Sequence, residues 1–177
     1  MKQLFSISPL LLALGASVSE ADTAVDRAQA ELAPFKQQLM GALKAGLAEG
    51  PDQAIDACRI EAPAIAAGLT TEQVQLGRTS HRLRNPDNAG PAWAQAELQA
   101  YLAQDGAWEP RVVDLPDGRT GYVEPIVTQP LCLTCHGSDL APPVADALAT
   151  HYPEDQATGF AAGDLRGVFW VSFDTEE

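Results

Sequence analysis

Sulfur and imidazole are scarce in this chain, which has three cysteines, three histidines and two methionines in 177 residues. A closed zinc site takes four ligands, and no second C-x-x-C or H-x(3-5)-H pair accompanies the single C-x-x-C present, so zinc ribbons and fingers are excluded. Basic residues are few as well, 11 against 24 acidic. The resulting net charge of −13 argues against nucleic acid and anionic membrane surfaces as partners. Past the N-terminus no segment approaches the roughly eighteen apolar residues of a membrane span. The chain has no internal repeat, no low-complexity tract and no βαβ rhythm, and the last of these absences removes a parallel sheet from consideration.

What the chain does have is Cys132-Leu133-Thr134-Cys135-His136. C-x-x-C-H is the spacing of covalent c-type haem attachment: each thiol adds to one porphyrin vinyl group, and the adjacent imidazole sits under the iron as proximal ligand. A thioredoxin-like redox pair needs a βαβ setting, whereas this segment is preceded by Pro130-Leu131 and followed by Gly137. One covalent haem c is therefore expected, in an oxidising compartment. The N-terminus agrees with this. Lys2 forms a positive start, Leu4 to Ala16 an apolar core, and Ser19-Glu20-Ala21 a small-residue cleavage pattern. Residues 1–21 are read as a secretory signal and 22–177 as one soluble periplasmic domain, an uncleaved signal anchor being the alternative.

Periodicity predicts a long amphipathic helix over 24–49, with Leu32, Phe35, Leu39 and Leu43 on one face and Pro34 as its weak point. Gly50-Pro51-Asp52 starts a second helix, whose inner face carries Ile55, Cys58, Ala62 and Ile65 and which Pro63 kinks or divides. Residues 73–83 alternate as a strand, with Arg78, Ser80, Arg82 and Arg84 on one side and Thr79, His81 and Leu83 on the other. A third helix is expected over 92–104. A hairpin follows over 111–115 and 120–127 around Pro116-Asp117-Gly118, then a short helix over 144–151 and an apolar strand over 167–173. The order predicts an α+β single domain, an antiparallel sheet with helices on one side.

Four segments together resemble the c-type haem domain of PAS-like fold that occurs alone in the bacterial periplasm and as the sensory input of membrane kinases and cyclases. They are Ala54-Ile-x-x-Cys58-x-x-x-Ala62-Pro63-x-Ile65-Ala66; Gly77-Arg78-Thr79-Ser80 running into Leu83-Arg84-Asn85-Pro86-x-Asn88; Pro125-Ile126 ahead of Cys132-Leu133-x-Cys135-His136-Gly137; and Tyr152-Pro153-x-Asp155-x-Ala157-Thr158-Gly159 continuing to Gly163-Asp164-x-Arg166-Gly167. They span most of residues 37 to 173. His81 departs from the pattern, which has an apolar residue there. The resemblance implies haem on Cys132 and Cys135, His136 as proximal ligand, Cys58 on the opposite face, and Arg78 or Arg84 on a haem propionate.

The residues alone leave some of these assignments open. Cys58 is the odd cysteine of an exported chain, which fits a ligand and equally fits a small core side chain. His81 is the rival sixth ligand; His151 reads as a helix-end residue and Met40 as helix packing. Arg78, Arg82 and Arg84 suit the two propionates, or form a solvated strand face. Trp93, Trp108 and Trp170 read as core or haem-edge packing. A thiolate on ferric iron leaves no net charge in the pocket, so reduction is disfavoured and weakens the bond, which suits a redox or small-ligand sensor without net chemistry. The alternative is a monohaem electron carrier. A peroxidase would need an open distal site and a polar acid or base, for which only His81 offers itself, so the chain is read as not an enzyme. The chain carries no kinase, cyclase or transmembrane output, so an unidentified periplasmic signalling or electron-transfer protein is the expected partner.

Overall fold

Alanine, leucine, glutamine and glutamate dominate residues 20–49, and in a computed structural model of the chain, describing residues 20–104 and 106–175, they form one helix, α1 (Glu20–Glu49). The expected leader lies outside the described residues except for Glu20 and Ala21, which open α1. Pro34 does not break this helix. Pro34 and Ala30, whose carbonyl loses its helical donor, are both exposed to water, while buried Leu32, Phe35 and Leu39 hold the flanking turns on the sheet.

Gly50 turns the chain at φ +147°, and α2 (Pro51–Asp56) begins at once with proline in its first turn. The next five residues, Ala57–Glu61, form a π-helical turn, before α3 (Ala62–Leu69). Pro63 explains the π turn. It has no N–H for the carbonyl of Arg59, and the helix widens so that the Ala62 amide donates to the carbonyl of Ala57. Pro63 thus changes the helix without dividing it, and Cys58 lies inside the widened turn.

Four strands follow, β1 (Val74–Thr79), β2 (Arg111–Asp114), β3 (Arg119–Val127) and β4 (Leu165–Asp174), in an antiparallel sheet of order β1-β4-β3-β2. The predicted hairpin is β2–β3. Helices cover both faces of the sheet, not one. Tyr122, Val171 and Phe173 meet α1, whereas Val123, Val168 and Leu165 meet Ala94, Leu98 and Tyr101 of α4 (Ala92–Leu102). Central β4 is apolar on both sides because both sides are buried. Trp93, Trp108 and Trp170 pack on the α4 side.

Strand β1 ends four residues before the predicted limit. The Ser80 hydroxyl accepts from the Arg82 amide at 3.1 Å and donates to the Arg166 carbonyl at 2.6 Å, so Ser80–Arg82 forms a side-chain-closed turn in place of ladder pairs. His81, Arg82 and Arg84 therefore lie beyond the alternation that placed them on the faces of one strand. Gly167 fixes the crossing at this point, since a Cβ there would overlap the Thr79 carbonyl oxygen. Gly167→Ala should destabilise the protein by about 2 kcal/mol, read as a lower urea midpoint; an unchanged midpoint would show that the crossing tolerates a methyl group.

After β3, a 3₁₀ turn (Pro130–Cys132) runs into the short helix α5 (Leu133–His136), followed by α6 (Pro142–His151). Val144, Ala147, Leu148 and Tyr152 pack on Ile55 of α2, which anchors the C-x-x-C-H turn beside the π turn.

Candidate functional site

Where α1, the π turn, the end of β1 and the C-x-x-C-H turn meet, they enclose a cleft of about 340 Å³. Cys58, Cys132, Cys135 and His136 all line it, as do Arg78 and Arg84. None of the three cysteines is in a disulfide. Leu39, Leu43, Leu47, Ile55, Ile126 and Phe169 make its apolar walls. Cys58 shares this lining with Tyr152, Cys135 and Arg166.

The C-x-x-C-H turn is held from below by the segment 155–160. The Gly159 amide donates to the Gly137 carbonyl and the Phe160 amide to the His136 carbonyl, both at 2.9 Å. His136 Nδ1 lies 2.7 Å from the carbonyl oxygen of Ala157. A carbonyl only accepts, so Nδ1 carries the proton and Nε2 keeps its lone pair. Burial, reinforced by Arg166 and Arg84, pushes the His136 pKa down to about 2, and the ring is neutral. A neutral imidazole with its second nitrogen anchored to a carbonyl is the arrangement of a metal-ligating histidine.

Arg84 closes this network. Its Nε donates to Asp155 Oδ2 at 3.0 Å, and its Nη2 donates to the carbonyls of Cys135 at 2.5 Å and Ala157 at 3.2 Å. The other carboxylate oxygen of Asp155 accepts from the Ala157 amide at 2.7 Å. The sequence reading offered Arg84 for a propionate; the structure engages two of its nitrogens in orienting the ligand turn. Arg78, by contrast, has no ion-pair partner among the described residues.

Arg166 is the site residue that sequence reading missed. It lines the cleft, Nη1 donates to Ser80 Oγ at 2.6 Å, and Nε is buried without a hydrogen-bond partner. Burial, with Arg78 and Arg84 nearby, lowers its pKa to about 10. Its only signal in the sequence was its place in Asp164-x-Arg166-Gly167. Three guanidinium groups at one end of an apolar cleft, one of them lacking a partner for a buried nitrogen, suit a ligand that brings carboxylates.

The remaining candidates divide. His81 does not line the cleft; its ring meets Phe160 edge-on at 5.8 Å, and burial, then Arg82 and Arg166, lower its pKa. Arg82 is also outside, stacked 4.3 Å over Phe160. His151 ends α6 with Nε2 3.7 Å from Asp52. Met40, read as helix packing, instead lines the cleft and is 44% exposed. A thiol pair and a histidine on one wall, a third thiol on the same cleft, apolar sides and a cationic end fit a haem: two thioether donors, two axial donors, hydrocarbon for the ring and guanidiniums for the propionates.

Fold and cleft together define an α+β, PAS-like domain built around a C-x-x-C-H turn. The chain belongs to the Tll0287-like family, whose model matches residues 16–173. Among solved structures it is similar to the crystal structure of the cyanobacterial heme-protein Tll0287, at 24% identity and a TM-score of 0.59, over 88% of this chain and 92% of that one. No curated protein sequence matches.

Proposed function

We propose that the chain is a periplasmic, exported monohaem protein that senses redox state or a small ligand, with haem c attached through Cys132 and Cys135 and the iron held between His136 and Cys58. The observation that carries this reading is the meeting of Cys58 and an anchored, neutral His136 on one cleft with the C-x-x-C-H thiols. A solved structure of the same fold described as a heme-protein supports it. Bound there, the haem supplies a one-electron iron couple and an axial position that a small molecule can take.

Each neighbouring residue has a part in that reading. Leu39, Leu43, Leu47, Ile55, Ile126 and Phe169 exclude water, which strengthens charge effects inside the cleft. Arg78 and Arg166 hold the propionates, and Arg84 with Asp155 fixes the carbonyl that orients His136. Bound to the iron as a thiolate, Cys58 would favour the oxidised state and would keep the midpoint potential low. No catalytic step is assigned to the protein. Its partner is a second periplasmic protein that reads the change.

A redox titration of Cys58→Ala beside the unsubstituted protein tests the reading: the midpoint potential should rise. An equal midpoint in both proteins would remove Cys58 from the iron. Reduction with no change in coordination would instead identify an electron carrier.

A further inference from the structure

Besides the C-x-x-C pair, two sulfur atoms border the cleft, those of Cys58 and Met40. Lys36, Leu39, Met40, Leu43 and Leu47 are the residues of α1 that line it. Leu39 belongs also to the helix's packing stripe, whereas Met40 does not. Leu32, Phe35 and Leu39 are at most 7% exposed, whereas Met40 is 44% exposed. Because α1 packs directly on the π turn, Met40 and Cys58 approach the cleft from adjoining elements.

The other donors on the walls are committed or unsuited. Lys36 Nζ is paired with Glu124 at 2.8 Å. Tyr152 is packed with Val144, Ala147 and Leu148 of α6 against Ile55. His81 and His151 are not on the cleft. Methionine has three rotatable bonds and a neutral, polarisable sulfur, so it can reach across a pocket without moving its helix.

We propose that Met40 is a reserve axial ligand, whose Sδ takes the position held by Cys58 when the iron is reduced. The proposal rests on the haem reading above. A thiolate matches iron(III) by charge; a neutral thioether matches the softer iron(II) and is the ligand of high-potential His/Met haems. In the exchange, one electron from a low-potential one-electron donor, dithionite in the test, reduces iron(III) to iron(II). The iron–sulfur bond to Cys58 breaks with its electron pair remaining on sulfur, which takes a proton from water. A lone pair of Met40 Sδ forms the new bond. One electron is thereby converted into the release of a side chain on the π turn and the capture of one on α1.

The test compares the exported holo-protein with Met40→Leu, a substitution that conserves volume at a half-exposed position, and with Cys58→Ala. Ferric spectra should be the same in Met40→Leu and the unsubstituted protein. Ferrous magnetic circular dichroism should show six-coordinate low-spin iron only where Met40 is present, and apparent carbon monoxide affinity should be roughly tenfold higher in Met40→Leu if the open form is a tenth of the unsubstituted population. Proton NMR of the ferrous unsubstituted protein supplies an independent reading, because an iron-bound methionine methyl group is shifted far upfield by the ring current. Ferrous spectra and carbon monoxide affinities identical in the two proteins, or no shifted methyl signal, would overturn the exchange. A ferric spectrum without thiolate character, unaltered in Cys58→Ala, would overturn the haem reading beneath it, and the two failures are distinct.

Discussion

Replacing both Cys132 and Cys135 by serine should remove all haem that survives denaturation, while either single replacement should leave haem attached through one thioether. The two residues occupy positions i and i+3 across the junction of the 3₁₀ turn and α5, so both thiols face the same cleft. His136 follows within the same short helix, and its ring is held by the Ala157 carbonyl whether or not the thiols react. The double variant should therefore retain a binding cleft and lose only the covalent bond. Haem staining after denaturing electrophoresis, together with the intact mass of the purified chain, measures this. Haem retained through denaturation in the double variant would contradict attachment at these two residues.

Arg84→Ala should be the most destabilising single change at the site. Arg84 and Asp155 are 9% and 11% exposed in their side chains, and removing the guanidinium leaves a nearly buried carboxylate without its counter-charge and takes one donor from each of the Cys135 and Ala157 carbonyls. Breaking such a pair by deleting one partner costs about 3 kcal/mol or more. For a domain of this size that corresponds to a fall in Tm of roughly 6–12 °C. Arg84→Lys should recover part of the loss, because an ammonium group can meet the carboxylate but lacks the fork that also reaches both carbonyls. Thermal unfolding followed by circular dichroism reads both variants. An alanine variant with an unchanged Tm would show that the network does not hold the ligand turn.

Much of this architecture is legible in the sequence because one periodicity dominates each segment. The hairpin around Pro116-Asp117-Gly118 and the short helix before His151 follow from turn chemistry and spacing that tertiary packing did not override. Strand β1 was predicted too long because alternation cannot register a hydroxyl that bonds its own backbone two residues on, and Ser80 does so. Pro34 reads as a breaker in the sequence because propensity does not show that Ala30, whose carbonyl it frees, is exposed to water. Met40 directly follows the core residue Leu39, and helical spacing alone does not show that a cleft opens beside it. Arg166 is far in sequence from the other arginines and comes to them through the pairing of β1 with β4. Cys132, Cys135 and His136, by contrast, are adjacent in the chain, so their shared place on the cleft is expected without knowledge of the fold.

A thiolate–imidazole pair at one iron is the premise of the proposed function, and electron paramagnetic resonance of the ferric protein tests that most directly. The exported protein should give the narrow low-spin spectrum of a thiolate-ligated haem, and Cys58→Ala should lose it. A spectrum without thiolate character in the unsubstituted protein, the same in Cys58→Ala, would contradict the account.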